Sequence, residues 1–120
     1  MPKIVVIEDT VDLLDDLMDW LFFEGYEVIG AEDGVDGLEK IREYLPDLIL
    51  CDVVIPRMDG YAVIQELRHD PAIASIPFVF ITAKTGEAEV EALEASGADE
   101  YLSKPVDLSK LRATIQSLLK

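Results

Sequence analysis

The stretch Leu48-Ile49-Leu50-Cys51-Asp52-Val53-Val54-Ile55-Pro56-Arg57-Met58-Asp59-Gly60 decides the fold. It opens on a continuous apolar run, the pattern of a strand buried on both faces, and the run stops at a carboxylate. Pro56 and the Asp59-Gly60 pair then impose a loop before a helical period resumes. The pattern predicts a strand over Leu48–Asp52 and a helix over about Gly60–His69 with Val63, Ile64 and Leu67 inward. Asp52 is therefore expected at the tip of a central strand, exposed to whatever binds at that edge of the sheet.

Upstream, Lys3–Ile7 is a short β-branched run that ends in Glu8-Asp9. Thr10 is suited to cap a helix over Val11–Glu24, with Leu13, Leu14, Leu17, Trp20 and Leu21 on one face and Asp12, Asp15, Asp16 and Asp19 on the other. Gly25 stops that helix, and Val28–Ala31 reads as a brief strand. Asp33-Gly34 turns the chain into a second helix whose buried stripe is expected to be Val35, Leu38, Ile41 and Leu45. Downstream, Pro71 and Pro77 bracket a loop before a strand over Phe78–Thr82. A helix then runs to Ala95 and stops at Gly97. A short strand over Glu100–Ser103 leads into Lys104-Pro105. Asp107 or Ser109 caps a last helix carrying Leu108, Leu111, Ile115 and Leu118.

Strands and helices thus alternate five times. That order predicts an α/β fold, a doubly wound five-stranded parallel sheet with five helices and right-handed crossovers. Ligands of such folds bind beyond the carboxyl ends of the strands, where the strand order reverses. Glu8-Asp9, Asp52, Thr82 and Lys104 each fall at the carboxyl end of a different strand, which is hard to assign to chance. His69 and Cys51 read as a solvated side chain and a buried small hydrophobe.

With 120 residues, the chain is long enough for one domain, residues 1–120, and too short for two. Half the residues are apolar, so it is globular. Its net charge of −15 argues against direct binding of nucleic acid or anionic membrane and suits divalent cations and basic partners. A single cysteine excludes an internal disulfide and fits a reducing, cytoplasmic setting. Nothing resembles a signal peptide, and no apolar run approaches membrane-spanning length.

Two or three carboxylates at one edge repel each other, at roughly 3 kcal/mol per pair for ~5 Å and an effective dielectric of ~20. A hard divalent cation relieves that cost, and oxygen-only ligands suit Mg²⁺, with Mn²⁺ or Ca²⁺ able to substitute in binding. Asp52 is ionised at neutral pH and needs no general base to act as a nucleophile. Lys104 would meet a phosphoryl oxygen as a point charge, and the Thr82 hydroxyl could donate to another. These are the parts needed to make an acyl phosphate on Asp52.

Over its whole length the chain resembles the receiver domains of two-component response regulators. The resemblance rests on Glu8-Asp9, on Asp52 followed by Pro56 and Met58-Asp59-Gly60, on Thr82-Ala83, and on Gly97-Ala98-Asp99-Glu100-Tyr101-Leu102-Ser103-Lys104-Pro105. It implies the flavodoxin-like strand order 2-1-3-4-5. It implies that Asp52 takes a phosphoryl group from the phosphohistidine of a histidine kinase or phosphotransfer protein. It implies Mg²⁺ on Asp9, Asp52 and the Val54 backbone carbonyl, with Glu8 assisting mainly through water, and a phosphoryl contact from the Ala83 backbone N–H. Thr82 and Tyr101 would be the switch pair, reshaping the surface of helix 4 (the one ending at Ala95), strand 5 (Glu100–Ser103) and helix 5 (the last helix) for a downstream effector domain or protein. The Lys104–Pro105 peptide would be cis. Such a chain is a phosphoacceptor that catalyses its own transfer and slow dephosphorylation, and is not a turnover enzyme.

Two departures from the family pattern stand out. Val54, two after the acceptor, has no polar group to orient an attacking water, and Lys84, two after the threonine, cannot act as a neutral acceptor for it. Slow self-dephosphorylation is expected. Helix 4 carries Glu87, Glu89, Glu91 and Glu94, with no basic residue from Val90 to Leu102, which argues against dimerisation through that face. The acidic face of helix 1 (Val11–Glu24) reads by default as a solvated face. The family commonly docks its kinase along this helix and the neighbouring loops, and so acidic a face would then select a basic partner. Phe22 and Phe23 fall outside the inward stripe there, and either mark a docking or dimer surface or pack under a loop. Competing readings are a flavin-type binder, a Mg²⁺-dependent aspartyl-nucleophile phosphohydrolase and a non-phosphorylated pseudo-receiver interaction module. The first lacks a phosphate-cradling loop after strand 1, and the second lacks an acid two after Asp52 and a cap. The intact set of acids, Thr82 and Lys104 argues against the third.

Overall fold

A computed structural model describes residues 1–83 and 86–119. The chain folds as β1 (Lys3–Ile7), α1 (Val11–Phe23), β2 (Glu27–Ala31), α2 (Gly34–Tyr44), β3 (Leu48–Cys51), α3 (Gly60–His69), β4 (Phe78–Thr82), α4 (Glu87–Ala95), β5 (Glu100–Ser103) and α5 (Leu108–Leu118). All strand pairs are parallel, and the sheet order is β2-β1-β3-β4-β5. The order reverses between β1 and β3, which are register neighbours from Ile4↔Leu48 to Ile7↔Cys51.

Side-chain alternation along the strands builds two cores. Ile4, Val6, Leu48, Leu50, Val79 and Ile81 pack with Leu14, Leu17 and Leu21 of α1 and Leu111 and Ile115 of α5. Val5, Ile7, Ile49, Cys51, Phe78 and Phe80 face the other way, onto Leu38, Ile41, Val63, Ile64, Leu67 and Leu93 of α2, α3 and α4. Each fully buried aliphatic or aromatic side chain contributes about 1.5–3 kcal/mol. That burial holds the strand tips in register.

Aspartates start three of the helices. Asp33 accepts from the Asp36 N–H at 2.7 Å, Asp59 from Ala62 at 2.9 Å, and Asp107 from Ser109 at 2.9 Å. Thr10 occupies the N-cap position of α1, but its side chain makes no cap bond. Gly25 follows α1 at φ +97°, where a side chain would be strained. Leu45 departs from expectation: it takes a left-handed cap conformation (φ 48°) at the end of α2 and is exposed, so it leaves the buried stripe. Leu108, at the first turn of α5, is also exposed. Phe22 and Phe23 lie in solvent at 65% and 84% exposure, stacked edge-on at 5.9 Å.

Candidate functional site

The tips of β1, β3, β4 and β5 converge at one edge of the sheet. Asp52 is the first residue beyond β3, and its N–H donates to the Ile7 carbonyl at 3.0 Å, which fixes it beside the end of β1. Its Oδ2 accepts from Lys104 Nζ at 2.7 Å and its Oδ1 from the Val54 N–H at 3.3 Å. Glu8 follows β1 and is buried. Its Oε1 accepts from the same Lys104 ammonium at 2.6 Å and its Oε2 from the Thr10 N–H at 3.0 Å. Lys104 therefore bridges two carboxylates carried by different strands. Asp9 stands beside them, exposed to solvent, and Glu8, Asp9 and Asp52 each offer an oxygen within 4.8 Å of the other two.

Burial pushes the Glu8 carboxyl above its ordinary value, against the opposing pull of the Lys104 and Thr10 hydrogen bonds, and the Asp52 charge adds to the rise. Burial alone would lower Lys104. Its hydrogen bonds to Asp52 and Glu8 outweigh that, and the net shift is upward. The ammonium thus stays charged where two acids need it. The oxygen-only cluster matches what a hard divalent cation requires.

Thr82 ends β4 and is buried, and its carbonyl accepts from the Lys104 N–H at 2.9 Å, tying the two strand tips together. Ala83 follows at the exposed rim, as does Val54 on the loop after β3. Tyr101 lies on β5 opposite Phe80, half-buried against the core beneath α3 and α4. The Lys104–Pro105 peptide is cis. Lys84 lies outside the described residues. Gly60 allows the loop after β3 to close on the site: a Cβ there would sit 2.5 Å from the Asp52 carbonyl oxygen and 2.8 Å from the Phe80 ring.

Beside the site, Leu13, Leu17 and Trp20 of α1 and Pro105, Val106 and Leu108 line an apolar groove of about 600 Å³, with Asp16 and Lys104 at its margin. The acidic ridge of α1 flanks it: Asp12, Asp15, Asp16 and Asp19 are all exposed. Two further residues matter here that no sequence pattern marks. Arg68 donates to the carbonyls of Ala74 (2.9 Å), Ile76 (2.7 Å) and Gly97 (3.0 Å) and to Asp99 (3.1 Å), fastening the loops that flank β4 and β5. Tyr61 donates to Glu89 across α3 and α4 at 3.0 Å. A lone basic residue and a helix tyrosine carry no motif, so only coordinates reveal such partners.

Residues 4–116 match the response regulator receiver domain. The chain belongs to this family. The receiver domain is 33% identical to protein PilH of Pseudomonas aeruginosa over 119 residues, covering 99% of this chain and 98% of that one. It is 37% identical to the DNA-binding dual master transcriptional regulator RpaA of Synechocystis, covering all of this chain but 50% of the relative. Against the response regulator PleD of Caulobacter vibrioides the identity is 40%, over 98% of this chain and 26% of that protein. Among solved structures it superposes on the Vibrio cholerae chemotaxis protein CheY4 with a TM-score of 0.91 and 28% identity, covering 99% of each chain. The receiver domain of the Pseudomonas aeruginosa sensor histidine kinase PA1611 matches with a TM-score of 0.91 and 25% identity, covering 98% of this chain and 97% of that one. That structure has a magnesium ion coordinated in its active site cleft. Receiver domains are signalling proteins of two-component systems. They bind Mg²⁺ at an acidic pocket and interact with histidine kinases and effector domains. Among the described residues, no helix is long and apolar enough to cross a membrane.

Proposed function

We propose that this chain, residues 1–120, acts as one phosphoacceptor receiver domain in the cytoplasm, and that Asp52 carries the phosphoryl group. The observation that carries this reading is the bridge of Lys104 between Asp52 and Glu8, with Asp9 beside it, at the point where strand order reverses. Burying two carboxylates on one ammonium is costly, which supports a functional role for the cluster.

An Asp52 carboxylate oxygen attacks the phosphorus of a partner's phosphohistidine. The P–N bond breaks, its electron pair returns to the imidazole, and an acyl phosphate remains on Asp52. Asp9, Asp52 and the Val54 carbonyl would hold Mg²⁺, with Glu8 assisting mainly through water, as the oxygen-only donor set fits. When bound, the ion neutralises charge on the transferring phosphoryl oxygens. Lys104 already contacts Asp52, which supports its following the charge onto a phosphoryl oxygen. The Thr82 hydroxyl and the Ala83 N–H, at the next strand tip, donate to the remaining oxygens.

Phosphorylation adds charge and acceptors at a strand tip. Thr82 moves toward them, Tyr101 turns into the vacated space, and the α4–β5–α5 face changes for a downstream effector domain or protein. Thr82 and Tyr101 lie on adjacent strands, and Tyr101 is half-buried, which supports this coupling. The phosphodonor, a histidine kinase or phosphotransfer protein, would dock along α1, a reading supported by the apolar groove there and by exposed aspartates that favour basic residues.

The test is intact-protein mass after incubation with Mg²⁺ and acetyl phosphate. One added phosphoryl group is expected on the wild type and none on Asp52→Asn. Addition that survives that substitution overturns the assignment.

A further inference from the structure

Helix α4 is weakly held. Of its residues Glu87–Ala95, Leu93 alone is buried, and a cavity of about 250 Å³ opens between it and α3, lined by Tyr61, Ile64, Gln65, Ala92, Ala95 and Ser96. Across that gap, the Tyr61 hydroxyl donates to Glu89 Oε2 at 3.0 Å. Among the described residues it is the side-chain hydrogen bond that joins α3 to α4. The tyrosine is also anchored inward, with its ring tilted against Phe80 at 5.4 Å between centroids. Phe80 lies two residues before Thr82 on β4, hence on the same face of the sheet, and opposite Tyr101 on β5. One side chain therefore touches the aromatic beneath the switch pair and ties down the helix that the switch must move. Burial and the neighbouring Glu89 carboxylate push the Tyr61 hydroxyl up to about 12, so it remains a donor at any physiological pH.

We infer that Tyr61 and Glu89 form a latch that holds α4 against α3 in the unphosphorylated chain and opposes its switching. The inference rests on the phosphoacceptor reading above. It extends that reading by naming a regulatory contact outside the phosphoryl site. A hydrogen bond to a charged group is worth enough to bias a two-state element severalfold even when half-exposed. Whatever favours the switched arrangement must break the latch, and by linkage, loss of the latch favours whatever the switched arrangement binds.

Tyr61→Phe removes the hydroxyl and keeps the ring on Phe80, so the core beneath is preserved. Amide hydrogen exchange of residues 87–95 in the unmodified chain should rise roughly fivefold to tenfold in Tyr61→Phe, with α1 and α5 unchanged. Glu89→Ala should raise it as well, and the double variant should raise it by less than the sum of the two single changes. The rate of phosphorylation by acetyl phosphate in Mg²⁺ should rise severalfold in Tyr61→Phe. Exchange across α4 within twofold of wild type, or a rise shared by α1 and α5, overturns the latch. So does full additivity in the double variant. A wild-type chain that accepts no phosphoryl group sinks the underlying reading instead. Normal wild-type phosphorylation, with Tyr61→Phe indistinguishable from it, sinks the latch alone.

Discussion

Replacing Lys104 with methionine keeps most of the aliphatic stem and removes the charge that Glu8 and Asp52 share. The ammonium lies 2.6 Å from one carboxylate and 2.7 Å from the other, and the acidic oxygens are within 4.8 Å of one another. Without it, two poorly solvated anions face each other at ~5 Å. With an effective dielectric of ~20, the repulsion is roughly 3 kcal/mol. Urea denaturation at neutral pH in chelator should therefore show Lys104→Met less stable by about 3 kcal/mol. Lys104 is bonded to two of the three carboxylates that the proposed cation site draws on. The variant should bind Mg²⁺ at least ~10-fold more tightly than wild type in a calorimetric titration, and excess Mg²⁺ should return most of the lost stability. The pH dependence has a definite sign. Glu8 has a folded value above its ordinary 4.5, so its contribution to stability is present below that value and is lost as pH rises through the folded one. The deficit of Lys104→Met relative to wild type should accordingly shrink as pH falls toward 4.5. An unchanged urea midpoint in chelator, or weaker Mg²⁺ binding by the variant, would refute this account of the lysine.

Other outcomes follow from single contacts. Glu8→Gln should stabilise the metal-free chain at neutral pH and flatten its loss of stability between acid and neutral pH, measured by thermal melts in chelator. Arg68→Ala should cost about 2 kcal/mol by leaving the Ala74 and Ile76 carbonyls without their donor, while Arg68→Lys recovers only part of it. Gly60→Ala drives a methyl into the Asp52 carbonyl and the Phe80 ring, so a loss of about 1–3 kcal/mol and slower phosphorylation from acetyl phosphate are expected. The phosphorylated chain, held without partners, should persist for minutes or longer, because Val54 offers nothing to orient water. A half-life of seconds would contradict that.

The fold was legible wherever burial forced a pattern. Leu48–Cys51 and Phe78–Thr82 are buried on both faces and read as strands with nearly correct ends. Helix ends were less legible. Leu45 has the spacing of a core residue, yet α2 must stop before β3, and a left-handed cap at that position turns the leucine into solvent. Thr10 looked like a cap by type, but the Glu8 carboxylate already takes the Thr10 N–H and orders that turn. In the site, the polar strand ends were legible because four of them, Glu8-Asp9, Asp52, Thr82 and Lys104, fall at the ends of different strands. Lys104 bridging both Glu8 and Asp52 depends on the pairing of β1 with β3 and on the path of the chain after β5, and no spacing encodes a distance across three strands. Tyr61 and Arg68 were invisible for the same reason: their partners lie on other elements.

Reductive trapping tests the central claim most directly. After phosphorylation by acetyl phosphate in Mg²⁺, borohydride cleaves an acyl phosphate and leaves the acidic residue as its alcohol, which peptide mass mapping locates. The account predicts homoserine at position 52 and nowhere else in the chain. Trapping at Glu8 or Asp9, or a stable phosphate that borohydride does not touch, would contradict it.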